Sequence, residues 1–181
     1  MTIVIFEDNG YENLYPISHT RPVFELKCGS MSLRERILGK FKGAKTCYFM
    51  REYLAEVFRG KLDGAVNDLS ALKNDDLLLM NGRLLMTGES AVPDEGEGIR
   101  LCGDSIVFAR INKAAGAAIA SDTFDAFLSG VHGKLQSGEI KATLITYPWD
   151  LVNLNPAAIE EDFSHIGKPG AIEGKFHQQA A

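Results

Sequence analysis

The chain has 181 residues, 45% of them apolar and 24% charged, and a formal charge of −5. That length supports one α/β domain with a full core rather than two, and the composition excludes disordered and collagen-like chains. An acidic chain makes a poor nucleic-acid surface, so no nucleic-acid partner is expected.

Thr2 to Phe6 (TIVIF) is a continuous apolar run rich in β-branched residues and predicts a buried, central strand. The polar stretch EDNGYEN follows at once, and Asp8, Asn9 and Gly10 are turn formers, so the strand opens into a loop. Pro16 and Pro22 keep that loop irregular. Ser32 and Glu35 form an S-x-x-E capping box, and Leu33, Ile37, Leu38 and Phe41 recur at helical spacing, so a helix starts here and stops near Gly43. From His19 to Arg51 eight basic residues (Arg21, Lys27, Arg34, Arg36, Lys40, Lys42, Lys45, Arg51) face two acidic ones, leaving this window at +6 in an otherwise acidic chain. Such a zone suits either a small anionic ligand or a solvated helix face.

Lys45 to Met50 predicts a second strand, and Arg51 to Phe58 a helix with Leu54, Val57 and Phe58 inward. Asp75 to Arg83 predicts a third buried strand running into a turn at Asn81-Gly82. Ile99 to Leu101 and Ser105 to Ile111 predict a hairpin turned at Gly103-Asp104. A helix is expected over Asp122 to Leu128, a short strand over Thr143 to Tyr147, and a helix over Pro156 to Phe163 with Asn155 as its N-cap. Glu160, Glu161 and Asp162 read as a solvated acidic run.

Strands alternating with helices imply a parallel core, and the hairpin adds an antiparallel part. The expected architecture is a three-layer α/β/α sandwich around a mixed, mostly parallel sheet, filling residues 1–163. Residues 164–181 are expected to be a linker or the truncated start of a left-handed β-helix, because Ile166-Gly167 is followed at hexapeptide spacing by Ile172. Cys28, Cys47 and Cys102 are scattered and form no C-x-x-C, which fits a reducing cytoplasm. The opening MTIVIFEDNG has no basic n-region or long apolar run, so no signal peptide or membrane association is expected.

The segment FEDNGYENLYPISHTRPVFELKCGSMSLRERI is the one that bears on chemistry. A loop rich in Gly and Asn after the first strand can turn backbone N–H groups toward a phosphate. Arg21 can then make a forked, charge-assisted contact, and Lys27 can add a second charge. Transfer of a phosphoryl or nucleotidyl group needs mainly positioning and neutralisation of phosphate charge. An ordinary surface loop carrying one arginine has the same composition.

The segment resembles the signature loop of sugar-phosphate nucleotidyltransferases. Leu14-Tyr15-Pro16-Ile17-Ser18 is similar to the family's L-x-P-L-T, Thr20-Arg21-Pro22 to the residues before its lysine, and Gly29 to Leu33 to its G-x-x-x-L. DDLLLMNGRLL resembles the family strand that ends in Gly-Asp, and Tyr147 to Asn153 resembles a branch in which the domain precedes a left-handed β-helix. That branch includes proteins like the bifunctional UDP-N-acetylglucosamine pyrophosphorylase/acetyltransferases. The resemblance implies a nucleotide-diphospho-sugar-transferase-like fold. It also implies nucleotidyl transfer from a nucleoside triphosphate to a sugar 1-phosphate, with UTP and N-acetylglucosamine 1-phosphate favoured, Mg²⁺ as cofactor, and a homotrimer formed through a C-terminal β-helix.

The sequence departs from the family at charged positions. The loop arginine falls at Asn13, the lysine after the proline at Val23, and the metal-binding aspartate after glycine at Arg83. Two readings remain. In one, a rewired enzyme uses Arg21, Lys27 and Arg83 as its catalytic cations. Asp8, Asn9, Gly10, Asn13, Asn81 and Gly82 then bind substrate, and a carboxylate such as Asp150, Glu7 or Asp8 holds the metal. In the other, the domain binds a nucleotide sugar or sugar phosphate without chemistry and serves a β-helix assembly.

Overall fold

Thr2–Phe6 forms strand β1, buried along its whole length because a strand flanks it on each side and side chains cover both faces. The computed structural model describes residues 1–73, 75–88, 96–119 and 121–166, residues 165 and 166 by their backbone alone. A small ribbon, β2 (Lys27–Cys28) with β3 (Met31–Ser32), leads into helix α1 (Leu33–Lys40). Then come β4 (Lys45–Phe49), α2 (Glu52–Phe58), β5 (Ala65–Val66) and β6 (Leu77–Asn81). The second half holds β7 (Gly98–Cys102), β8 (Ser105–Ile111), α3 (Lys113–Ala117), α4 (Phe124–Lys134), β9 (Ser137–Glu139) and α5 (Pro148–Ile166).

The main sheet runs β5-β4-β1-β6-β8-β7-β9. β4, β5 and β6 join β1 in parallel fashion, β8 is antiparallel to β6 and to β7, and β9 is parallel to β7. The predicted mixed, mostly parallel sheet and the hairpin around Gly103 are therefore both present. The pleat sends alternate residues to opposite faces. Ile3, Ile5, Tyr48, Leu78 and Met80 meet Ile37 of α1 and Leu54, Ala55 and Phe58 of α2. Val4, Phe6, Cys47, Leu77, Leu79 and Ile111 meet Phe127 and Val131 of α4. These are the three layers, and each fully buried side chain of this size contributes about 1.5–3 kcal/mol.

Several local expectations change. The capping box holds: Glu35 N donates to Ser32 Oγ at 3.2 Å and Ser32 N to Glu35 Oε2 at 2.7 Å. Arg36, expected on the outer face of α1, is buried instead. Val57 is 53% exposed, because α2 turns Leu54, Ala55 and Phe58 inward. Thr143 to Tyr147 forms only a single bridge, between Leu84 and Leu144. α5 starts at Pro148, not Pro156, so Asn155 is no N-cap; it lies mid-helix and its Oδ1 accepts from Gly29 N at 2.7 Å. Pro148 suits the first helical position because its missing N–H has no partner to lose there. Pro156 lies inside α5 on an exposed face, where water can serve the carbonyl it leaves unpaired. Asp162 is buried, against the expected solvated run. Of the 164–181 expected as a linker or the start of a β-helix, 164–166 instead continue α5, and the rest of that expectation lies outside the described residues. No helix among the described residues is long and apolar enough to cross a membrane.

All three cysteines are free. Burial pushes the Cys47 thiol up to about 12, outweighing hydrogen bonds from the Tyr48 and Asp68 backbone, and burial also raises Cys28. Thiolate, not thiol, reacts. Under native conditions near neutral pH a disulfide reagent is expected to modify only the half-exposed Cys102, with the other two reacting after unfolding. Rapid native titration of two or three thiols would contradict this burial.

Candidate functional site

The order of the sheet reverses beside β1: the chain moves from β1 out through β4 and β5, then returns to add β6 on the other side. In open α/β sheets ligands bind beyond the carboxyl ends of the strands at such a switch point. Here those ends are Glu7-Asp8 after β1, Met50-Arg51 after β4, and Asn81-Gly82-Arg83 at and after β6.

Asp8 stands at the centre. Its Oδ1 accepts from Gly10 N at 3.1 Å and Arg83 Nε at 2.7 Å, and its Oδ2 accepts from Arg83 Nη2 at 2.6 Å and Asn81 Nδ2 at 2.8 Å. The Gly10 contact caps the short 3₁₀ helix Asn9–Leu14, which is the form the predicted loop takes. Burial raises the Asp8 pKa, but hydrogen bonding and charge from Arg83, with help from Asn81 and Gly10, hold it below the usual carboxylate range. The Arg83 guanidinium also donates to Ile145 O at 3.2 Å and Ser105 Oγ at 3.1 Å, so it ties together four segments of chain. A Cβ on Gly10 would fall 2.4 Å from Arg83 Cζ, so only glycine lets the loop lie against the guanidinium.

Asn81 is fully buried and fully bonded: Nδ2 also donates to Ile106 O at 2.8 Å, and Oδ1 accepts from Arg83 N at 2.9 Å. Gly82 extends the ladder, its N–H donating to Phe6 O at 2.7 Å, where a Cβ would sit 2.9 Å from the same oxygen.

The neighbouring pair is Glu7 and Arg51. Glu7 Oε1 accepts from Val23 N at 2.8 Å and Arg51 Nη2 at 3.1 Å; Oε2 accepts from Arg51 N at 3.0 Å and Nε at 3.1 Å. Arg51 Nη2 reaches on to the carbonyls of Ser18 and Arg21, and the guanidinium lies 4.3 Å from the Tyr11 ring centroid. Between these pairs and the start of α4 lies a cavity of about 400 Å³, lined by Glu7, Asp8, Asn9, Tyr11, Arg51 and Asn67 among others. Among the lining residues Asn67, at φ 50°, is fixed in place by accepting from Met50 N and donating to Met50 O, both at 2.9 Å. Glu52, Asp122 and Asp125 also line the cavity, so its field favours an uncharged group over a polyphosphate.

Of the residues predicted for the site, Asp8, Gly10, Asn81, Gly82 and Arg83 converge in one network, and Asn9 lines the cavity beside it. Arg21 and Asn13 are exposed on the loop. Lys27 is exposed on β2, beside α1, where it adds to the effects that lower Glu35. Asp150 is at the start of α5, its Oδ2 accepting from Thr146 N and Tyr147 N at 2.8 Å. Sequence reasoning missed Arg51 as a site residue, since only its place after a strand marks it.

A Mg²⁺ ion, which the resemblance implies, does not fit these residues. An ionised carboxylate offers about four lone-pair sites, and Asp8 has four donors on them, two from a cation. Asp150 is engaged in capping its helix, and no group of three His, Cys, Asp or Glu among the described residues is placed to hold a metal.

A family model described as sugar nucleotidyl transferase matches residues 3–169. Among solved structures, the chain is similar to a putative glucose-1-phosphate thymidylyltransferase from Bacillus anthracis. Identity is 13%, with 88% of this chain and 95% of that one covered, at a TM-score of 0.49. It is also similar to a 2-C-methyl-D-erythritol 4-phosphate cytidylyltransferase from Thermus thermophilus, at 13% identity, covering 87% and 98%, with a TM-score of 0.43. A third is an inositol-1-phosphate CTP transferase from T. maritima, at 11% identity, covering 88% and 96%, with a TM-score of 0.44. No curated protein matches the chain.

Proposed function

Since the chain belongs to the sugar nucleotidyl transferase family, we propose that it transfers a nucleotidyl group from a nucleoside triphosphate to a sugar 1-phosphate. An oxygen of the sugar phosphate bonds to the α-phosphorus, the α–β bridging bond breaks, and pyrophosphate leaves. Family membership across nearly the whole chain carries this reading. UTP and N-acetylglucosamine 1-phosphate are the pair to which the resemblance of Tyr147 to Asn153 to the pyrophosphorylase/acetyltransferase branch points. The crevice beyond β1, β4 and β6 is the site, with the uncharged end of the nucleotide toward the cavity beside Tyr11 and Asn67. The phosphates lie at the rim, where Arg21 projects from the loop that Arg51 holds. Arg21 then supplies charge to the phosphates by electrostatic stabilisation. The setting is the reducing cytoplasm, which the three free thiols suit.

A second reading is favoured by the Asp8–Arg83 pair: the domain binds a nucleotide sugar or sugar phosphate without turnover and serves assembly through a C-terminal β-helix. Pyrophosphate release, measured across nucleotide and sugar 1-phosphate pairs with the metal varied, separates the two. Release above background with one pair supports transfer. No release with any pair, together with calorimetric binding of a nucleotide sugar, supports the second. Under either reading Arg21→Ala is expected to weaken binding about tenfold, by loss of one charge-assisted contact of roughly 1.5 kcal/mol. Unchanged affinity would place the phosphates elsewhere.

A further inference from the structure

We infer that Arg83 is a resident cation that takes the place of a divalent metal beside Asp8, so that this domain shapes its crevice without a metal site of its own. Three observations carry it. First, both oxygens of Asp8 are bound in fork geometry by Arg83 Nε and Nη2, at 2.7 and 2.6 Å, and the Gly10 amide and Asn81 complete the set of donors. Second, Arg83 does what a coordinated ion would do at this point. It draws ligands from separate segments onto one centre: Asp8 after β1, Ser105 at the start of β8 and the Ile145 carbonyl. Its side chain is 5% exposed, so it is part of the interior rather than a surface arm swung inward. Third, the surroundings are fitted to a guanidinium. Gly10 leaves the room that a Cβ would fill, and Asn81 fixes Arg83 through its backbone N–H while bonding the same carboxylate.

A planar fork of donors matches both oxygens of a carboxylate at once. A hard divalent cation would need free carboxylate oxygens, and here it would have to displace a bound arginine. The inference rests on the proposed crevice being the ligand site, but its test uses no nucleotide. Absence of turnover would sink the transfer reading and leave this one standing, whereas metal uptake at Asp8 would do the reverse.

The full chain is titrated with Mn²⁺ alone, following free ion by electron paramagnetic resonance and melting temperature in parallel. The wild type is expected to take up no ion at this site and to melt at the same temperature in Mn²⁺ and in chelator. Arg83→Asp sets a second carboxylate opposite Asp8. It should bind Mn²⁺ at least about tenfold more tightly than the wild type and gain stability when the ion is added. Asp8→Asn in that background should remove both gains. Arg83→Met should be destabilised and remain indifferent to the ion. Wild-type uptake of one Mn²⁺ abolished by Asp8→Asn would overturn the inference. So would an Arg83→Asp protein, refolded in Mn²⁺ or in chelator, that neither binds the ion nor is stabilised by it.

Discussion

Arg51→Met is expected to lower the melting temperature by roughly 6–20 °C. Breaking a buried ion pair by removing one partner costs about 3–5 kcal/mol, and for a domain of this size each kcal/mol shifts the midpoint by about 2–4 °C. The pair qualifies as buried, with the Arg51 side chain 9% and Glu7 3% exposed. Methionine keeps much of the apolar stem but leaves the Glu7 carboxylate with only the Val23 and Arg51 backbone amides. It also strips a donor from the carbonyls of Ser18 and Arg21. Those carbonyls belong to the loop that presents Arg21, so ligand affinity should fall along with stability. Glu7→Gln in the Arg51→Met background removes the stranded charge and should recover part of the loss. Thermal and urea unfolding of the four proteins give the coupling energy directly. A coupling near zero would mean that the loop is held by its aromatic contacts, not by the ion pair.

Arg36→Met is expected to be comparably damaging, at about 3–5 kcal/mol for the same reason, but through a different part of the molecule. The Arg36 and Asp162 side chains are 2% and 4% exposed. Arg36 donates to Cys28 O at 3.1 and 2.7 Å, to Ala158 O at 3.3 Å and to Asp162 Oδ2 at 2.7 Å. Asp162 Oδ2 also accepts from the amide and hydroxyl of Ser30, both at 2.8 Å. Together these bonds fasten α5 to the ribbon before α1. Gly29 completes the joint: it sits at φ +77°, and a Cβ there would lie 2.5 Å from both Arg36 Nη2 and Asp162 Oδ2. The expected signature is early proteolytic cleavage within α5, beginning before the sheet unfolds. Protection of α5 equal to wild type would show that the apolar contacts of Leu151, Leu154 and Ala158 suffice.

The strands and α1 were legible in the sequence because their signals are local. An apolar run, a capping box and a turn dipeptide each lie within a few residues, and β1, α1 and the β7–β8 hairpin appeared where those signals stood. The failures share a cause. Arg36 read as one of several cations on a helix face, and Asp162 as one of three acids in a row. Their pairing depends on α5 returning to the ribbon, which no local window contains. Arg83 stood out as a departure from a family pattern, yet its partner Asp8 lies 75 positions away. The sequence suggested substrate contact for Asn81 and Gly82, whereas the fold uses one to hold Asp8 and Arg83 and the other to bring β6 close to β1. α3, β5 and β9 are too short to show a period, and Pro156 suggested a helix start because the exposed side of a longer helix tolerates it.

The fastening of α5 has a kinetic side. The Arg36–Asp162 contact closes a loop of 126 positions, and loops of that size are slow to close because their entropy must be lost before the contact forms. Its acceptors and donors are shaped by β2, β3 and α1, which fold from nearby residues. α5 therefore has nothing to latch onto until the ribbon and α1 are in place. During synthesis, Arg36 stays without its carboxylate partner until the chain has passed Asp162.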